Sequence, residues 1–270
     1  MFLLTFTRIT VHNNTYIETL DKPTIPKPNV STKRVNGKKR KGRKNSLKLV
    51  ASWSGGKDSC FALYKAQQQG HAIQSLLIMM SDKGKSNFHM ISTELLDAQS
   101  EALGIPITKV PTTPETYEKQ FTKALLEAKA KGAHGIVTGD IFDVAQHETG
   151  WLERICKEVG LTPVKPLWHR DTSQVLDEFI NEGFKATVVR VKSALLGNEW
   201  LGRQIDKKFY SDLKKLGNVD LCGEYGEFHT FVTDGPIFKK KIEILETKTS
   251  TINSWGRLEI TKFKLKPKSR

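Results

Sequence analysis

Apolar positions set a regular rhythm from Leu47 to Val191. Short runs of β-branched and aliphatic residues alternate with amphipathic stretches of about ten residues, and glycines fall at the joins. The runs predict strands at Leu47–Trp53, Ala72–Met80, Ile107–Val110, Gly135–Gly139, Thr162–Pro166 and Ala186–Val191. The intervening helices are predicted at Ser59–Gln69, Ile91–Leu103, Tyr117–Ala130, Trp151–Val159 and Val175–Asn181. Gly70, Gly104, Gly160 and Gly183 sit where those helices should stop. Strands alternating with helices in this way predict an α/β fold, a parallel sheet covered by helices on both faces.

After about Ser193 the rhythm changes. One helix (Asp206–Leu216) precedes a Gly/Glu-rich loop and three strand-like segments, Phe228–Val232, Lys241–Thr247 and Arg257–Leu265. This predicts a smaller α+β C-terminal part. The expected division is a basic segment over 1–46, a nucleotide domain over 47–150 and an acceptor-binding domain over 151–270.

Charge changes the picture only once it is located. The net charge is +14. Residues 1–48 hold twelve Lys/Arg against two Asp/Glu, and 239–270 hold ten against three. The body, 49–238, holds twenty-one against twenty-four and is slightly acidic. The basic character therefore belongs to the ends, where it suggests a nucleic-acid or ribosome contact through the N-terminal tail. Segment 33–44 is a like-charge block with too little to bury, read as a solvated tail. Cys60, Cys156 and Cys222 are far apart with no CxxC pair, which argues against a disulfide scaffold and points to a reducing, cytoplasmic compartment. No apolar run approaches the roughly 18 residues that a membrane helix needs.

Candidate chemistry falls where strands end, the place where open parallel sheets bind ligands. Ser54-Gly55-Gly56-Lys57-Asp58-Ser59 joins the first strand to the first helix. Its glycines let backbone amides approach an anion, its serines and Lys57 add donors, and the helix N-terminus adds positive potential. It is not a Walker A loop, which needs glycine at Ala51 and Ser or Thr at Asp58. Gly139-Asp140-Ile141-Phe142-Asp143 follows the fourth strand and offers carboxylates to Mg²⁺ or a ribose; an ordinary capped turn is the other reading. Asp220–Thr230 crowds three carboxylates, a thiol and an imidazole into eleven residues.

These motifs carry a resemblance. Ser54–Ser59 looks like the SGGxDS signature of the PP-loop ATP pyrophosphatases, which cleave ATP between the α and β phosphates. Together with Gly139–Asp143, Trp200-Leu201-Gly202-Arg203 and Cys222–Thr230, it resembles the pattern of the diphthine–ammonia ligase family. The resemblance runs from about Leu47 to Ile242 and implies an adenine-nucleotide α-hydrolase-like (Rossmann-like) fold. It further implies ATP and Mg²⁺, ammonium as nitrogen donor, and diphthine on translation elongation factor 2 as acceptor. AMP and pyrophosphate would be released through an acyl-adenylate. The expected nucleotide site is Ser54, Gly55, Gly56, Lys57, Asp58, Ser59, Gly139 and Asp140, with Asp58 and Asp140 toward the metal. Lys57, Asp58, Glu227 and His229 are the candidate catalytic residues. Trp200, Glu224, Tyr225 and Glu227 are candidates for the trimethylammonium-bearing acceptor, since such a cation relies on charge and aromatic faces. A PP-loop tRNA-modifying enzyme and a related ligase acting on a small molecule stand as alternatives.

Overall fold

The computed structural model describes residues 46–81, 91–143 and 150–268. The chain divides into a unit of Met1–Gly42, outside the described residues, and a unit of Arg43–Arg270 that holds every element below. The expected basic tail thus lies, but for Ser46, outside the described residues.

Five strands form a parallel sheet: β1 (Lys48–Ser52), β2 (Ala72–Met80), β3 (Ile107–Pro111), β4 (Gly135–Val137) and β5 (Thr162–Val164). Their order is β3-β2-β1-β4-β5, every neighbouring pair parallel. The order reverses direction at β1 and β4, so ligand space opens beyond their carboxyl ends. The helices are α1 (Lys57–Gln68), α2 (Thr93–Leu103), α3 (Tyr117–Ala130) and α4 (Trp151–Val159). Phe121, Leu125, Leu152, Ile155 and Val159 of α3 and α4 pack with Val50, Leu77 and Ile136 on one face. On the other face, α1 and α2 share a continuous core with the C-terminal part. The predicted helices on both faces are present, and the sheet takes in α4 and β5, beyond the expected division at 150.

The C-terminal part contains α5 (Thr172–Asn181), β6 (Lys185–Lys192), α6 (Lys207–Leu216), β7 (Phe228–Asp234), β8 (Lys240–Ile252) and β9 (Trp255–Pro267). Its sheet has the order β7-β6-β9-β8 and is antiparallel throughout. Two features differ from the sequence reading for local reasons. α5 starts three residues early because the Asp171 side chain accepts from the Gln174 amide and caps the helix. β8 and β9 are each 13 residues long and joined by Asn253-Ser254 at φ 47° and 62°. Two consecutive positive φ values form a tight turn whose twist matches the strands. The run of exposed polar residues beside it hides the strand pattern.

Both parts meet through α1. Phe61 lies edge-on to Phe179 and Phe184, with centroids 5.8 and 5.9 Å away. Phe179 and Phe184 stack at 4.9 Å. The Tyr64 hydroxyl donates to Glu182 at 2.7 Å.

Candidate active site

The phosphate-loop signature folds back on itself. The Ser54 and Ser59 hydroxyls lie 3.0 Å apart, the Gly56 amide donates to Ser54 Oγ at 3.2 Å, and Ser59 Oγ donates to the Gly56 carbonyl at 3.1 Å. Gly55 has φ 84°, and a Cβ there would stand 3.0 Å from Gln99 Oε1. Only glycine combines that backbone with that closeness. Gln99, fully buried on α2, is the clamp under the turn. Its amide nitrogen donates to the Gly55 carbonyl at 3.0 Å and to the Val232 carbonyl at 2.8 Å; its oxygen accepts from Trp53 Nε1 at 3.0 Å. Nothing in the residue pattern singles out this glutamine within an amphipathic helix.

Gly139 completes the floor. A Cβ on it would fall 2.5–2.7 Å from backbone atoms of Asp58 and Ser59. A side chain at 139 would therefore push the first turn of α1 off the end of β4.

Above this floor lies a cavity of about 230 Å³. Ser54, Asp58 and Ser59 line it from the loop, Gly139 and Asp140 from the end of β4, and Glu224 from the C-terminal part. One wall is aromatic. The rings of Tyr117 and Phe121 stack at 6.1 Å, and Trp151 lies 5.2 Å from Phe121. A second wall brings Lys165 and Trp168, with the Lys165 ammonium over the indole and 2.5 Å from Glu153 Oε1.

The electrostatics are those of a partly dry acidic pocket. Burial pushes the Asp140 carboxyl up, against the pull of the Thr138 hydroxyl and the Lys165 ammonium. Burial, and then the Asp58 carboxylate, push Glu224 up to about 8, with Lys57 opposing. Burial and the Asp140 carboxylate push the Tyr117 hydroxyl up to about 12. Each shift states that another negative charge is disfavoured here and that a cation is favoured.

Among the described residues, no three His, Cys, Asp or Glu side chains stand close enough together to hold a metal ion unaided. Asp58 and Asp140 nevertheless suit Mg²⁺, which takes one or two protein carboxylates and completes its shell with water and substrate phosphates. The raised Asp140 carboxyl is the better placed of the two, because both Asp58 oxygens already accept from Lys57 Nζ, at 2.9 and 2.8 Å.

Of the candidate site residues, six therefore meet at the cavity: Ser54, Asp58, Ser59, Gly139, Asp140 and Glu224; Phe142 and Asp143, of the Gly139–Asp143 segment, line it as well. Gly55 and Gly56 shape the loop without lining the cavity. Lys57 does not line it either. Its side chain is buried beneath the loop, pairs with Asp58 and donates to the Cys222 carbonyl, while its amide donates to Thr230 Oγ1 at 3.0 Å. Burial pulls its ammonium down, but Asp58, Cys222 and Glu224 outweigh that, and the group is held charged.

The remaining candidates also stand away from the cavity. Glu227 is buried, with Oε1 accepting from the Asp220 amide and Oε2 from the Tyr225 amide, both at 3.0 Å. It buckles the loop shut. His229 sits on β7 with its ring stacked on Trp255 at 5.8 Å. Trp200 is buried against Phe209 and Arg203. Tyr225 is 76% exposed at the loop tip.

The sequence reading missed Lys165 and the aromatic wall. Tyr117 and Phe121 have the helical spacing of core residues and are indistinguishable from them by pattern. Lys165 had one available signal, its place at the carboxyl end of the fifth predicted strand, Thr162–Pro166, which the structure ends at Val164.

Comparison with known proteins bears on this arrangement. The model of the diphthamide synthase N-terminal domain matches residues 47–163, and that of the diphthamide synthase C-terminal domain matches 171–265. A Danio rerio diphthine–ammonia ligase is 27% identical over 227 residues, covering 75% of this chain and 88% of that protein. The Homo sapiens diphthine–ammonia ligase is 28% identical over 233 residues, covering 77% and 86%. A solved Methanocaldococcus jannaschii chain, described as a "predicted subunit of tRNA methyltransferase", superposes with a TM-score of 0.42 at 14% identity, covering 70% of this chain and 98% of that one. The two domain models meet between β5 and α5, where the parallel sheet ends and the C-terminal part begins, and together they place this chain in the diphthamide synthase family.

Proposed function

We propose that the chain is a carbon–nitrogen ligase that amidates diphthine on translation elongation factor 2 with ammonium, at the expense of ATP. One observation carries the reading. The phosphate loop, the end of β4 and Glu224 of the 220–230 loop line a single cavity, so a nucleotide held by the first two faces a group belonging to the C-terminal part.

In this reading the loop and Ser54 and Ser59 bind the phosphates at the N-terminus of α1, and the aromatic wall offers the adenine a stacking face. Mg²⁺, held by Asp140 and Asp58 together with phosphate oxygens, would neutralise charge on the phosphates. An acceptor carboxylate oxygen attacks the α-phosphorus and pyrophosphate leaves. Ammonia then attacks the acyl carbon and AMP leaves, with the surplus proton passing to water or a cavity carboxylate. Lys165 is the cation placed to meet charge developing on the phosphates, the role that the sequence suggested for Lys57. Lys57 and Glu227 are positioning residues: one locks the phosphate loop to the 220–230 loop, the other closes that loop so that Glu224 reaches the cavity. Glu224, within an acidic field, suits ammonium or the trimethylammonium of diphthine.

The test is turnover. Protein, ATP, Mg²⁺ and ammonium are incubated with diphthine-bearing elongation factor or with bulk tRNA, and AMP is measured. AMP formation that depends on the factor is expected. Formation of ADP, or turnover with tRNA alone, contradicts the reading.

A cytoplasmic location fits the free, buried cysteines, and among the described residues no helix is long and apolar enough to cross a membrane.

A further inference from the structure

Thr138 follows the last residue of β4 and lines the cavity. It is 4% exposed, and among the described residues its buried hydroxyl has no hydrogen-bond partner. Native structures keep few such orphans, because a buried polar group left unpaired is disfavoured. Asp140 is near enough for the hydroxyl to favour its charged form, yet it stands outside hydrogen-bonding geometry. The carboxylate draws the hydroxyl proton toward itself and leaves the oxygen's lone pairs for another group.

Sheet alternation fixes which part of the cavity those lone pairs serve, since successive side chains point to opposite faces. Ile136 packs with α3 and α4, and Val137 with the opposite core. The bare side of Gly139 abuts the Asp58–Ser59 backbone of α1. Thr138 therefore points with Ile136, toward the aromatic wall of Tyr117, Phe121 and Trp151 and away from the phosphate loop. Ser52 stands beside it. Ala51 pairs with Val137, so Ser52 is the next neighbour of Thr138 across the sheet, on the face of Val50, and it lines the same cavity.

A purine held flat against the aromatic wall brings one edge to these two hydroxyls. Adenine's edge carries an N–H donor, the exocyclic amine, beside a ring-nitrogen acceptor. Guanine carries the reverse, a carbonyl beside an N–H. Thr138, turned by Asp140 into an acceptor, and Ser52, whose hydroxyl rotates to donate, match adenine's order. Guanine's carbonyl would face the lone pairs of Thr138 and the charge of Asp140. Other parts of a nucleotide fit less well. Phosphate oxygens are acceptors and gain nothing from a lone pair, and a ribose hydroxyl would bond the Asp140 carboxylate in preference to a neutral oxygen.

We propose that Thr138 Oγ1 accepts from the exocyclic amine of the bound adenine and so selects ATP over GTP. The proposal rests on the reading above that the cavity holds ATP.

Calorimetry on the full chain tests it with ATP, GTP and purine riboside triphosphate, which is ATP without the amine. The parent should bind ATP about tenfold tighter than the analogue, the worth of one neutral hydrogen bond in a buried site. Thr138→Val should weaken ATP about tenfold, leave the analogue within about twofold and narrow the preference over GTP, while Thr138→Ser, which keeps the hydroxyl, should restore most of the difference. Unchanged ATP affinity in Thr138→Val overturns the proposal. So does an equal loss for ATP and the analogue, which would put the hydroxyl on the sugar or the phosphates. Without nucleotide, Thr138→Val should melt no lower than the parent, because the hydroxyl has no partner to lose. A lower melting temperature would mean that the hydroxyl is spent within the fold, and also overturns the proposal. Amide formation is followed on the same proteins. Base selectivity that depends on Thr138 in a protein that leaves diphthine unmodified supports this inference and contradicts the reading of the acceptor. Amide formation with an undiminished preference for ATP in Thr138→Val does the opposite.

Discussion

The cavity at the ends of β1 and β4 and the 220–230 loop both carry dense polar residues, but they spend them differently. In the cavity, Asp140, Glu224 and Lys165 line open space. In the loop, nearly every polar atom is consumed internally. Asp220 Oδ1 accepts from the Cys222 and Glu224 amides, Asp220 Oδ2 accepts from the Thr172 hydroxyl, and Glu227 accepts from two further amides. Glu224 is the residue that this bracing presents to the cavity. A motif of many polar residues can therefore be mostly scaffold, with one carboxylate facing the cavity. Lys57 joins the two regions, since it is part of the phosphate signature yet is held by the loop's backbone.

Four substitutions break or sharpen this contrast. Lys57→Ala should have the largest effect, because it strips the buried partner from Asp58 and the donor from the Cys222 carbonyl. Removing one partner of a buried pair costs roughly 3–5 kcal/mol, and Asp58 retains some solvent, so a loss of about 3 kcal/mol is expected. Chemical denaturation measures it. A normal midpoint together with lost turnover would show that Lys57 leaves its pocket to act on the phosphates.

Lys165→Ala should do the reverse. The fold should hold, while turnover falls about 10²–10³, as when one preorganised donor is lost from a transition state. Unaltered kcat would remove Lys165 from the phosphates.

Glu227→Gln should cost about 1–3 kcal/mol, because its NH₂ would face a backbone amide that needs an acceptor. ATP affinity should persist and amide formation fall, since the loop no longer presents Glu224. Comparing calorimetric ATP binding with amide yield decides this; a normal melting temperature would show that Glu227 is not a brace.

Glu224→Gln has the smallest effect on stability, and it depends on pH. The folded-state pKa of Glu224 is raised to about 8. Its neutral form is therefore favoured in the fold. Any stability linked to it is complete below its unfolded pKa and is lost as pH rises toward 8. The variant should match the parent near pH 4 and exceed it slightly at pH 9. Melting curves at both pH values check this, and equal differences at the two would mean that Glu224 is already ionised in the cavity.

Much of the fold was legible because it rests on local chemistry. The apolar runs of β1 and β2, the stops at Gly104 and Gly160, and the turn chemistry of Ser54–Ser59 are encoded within a few residues. Pattern alone also located three of the segments that build the cavity, two of them as strand ends in a parallel sheet and Asp220–Thr230 by its density of polar groups. The direction in which Lys57 points was not legible. Whether it faces phosphates or lies beneath the loop depends on the Cys222 carbonyl, 165 residues away in sequence. The same holds for Gln99, whose three partners come from β1's end, the phosphate loop and β7.

By itself, then, the sequence determined where helices and strands form, which turn approaches an anion, and which family pattern the motifs follow. These depend on backbone preference and short-range spacing. Only the tertiary structure decided which polar residues line the cavity and which brace the fold. Glu224 and Glu227 are three positions apart and alike in chemistry, yet one lines the cavity and the other is fully engaged by amides. That distinction is set by long-range packing, which determines for each buried charge whether its partner is the protein's own backbone or a ligand.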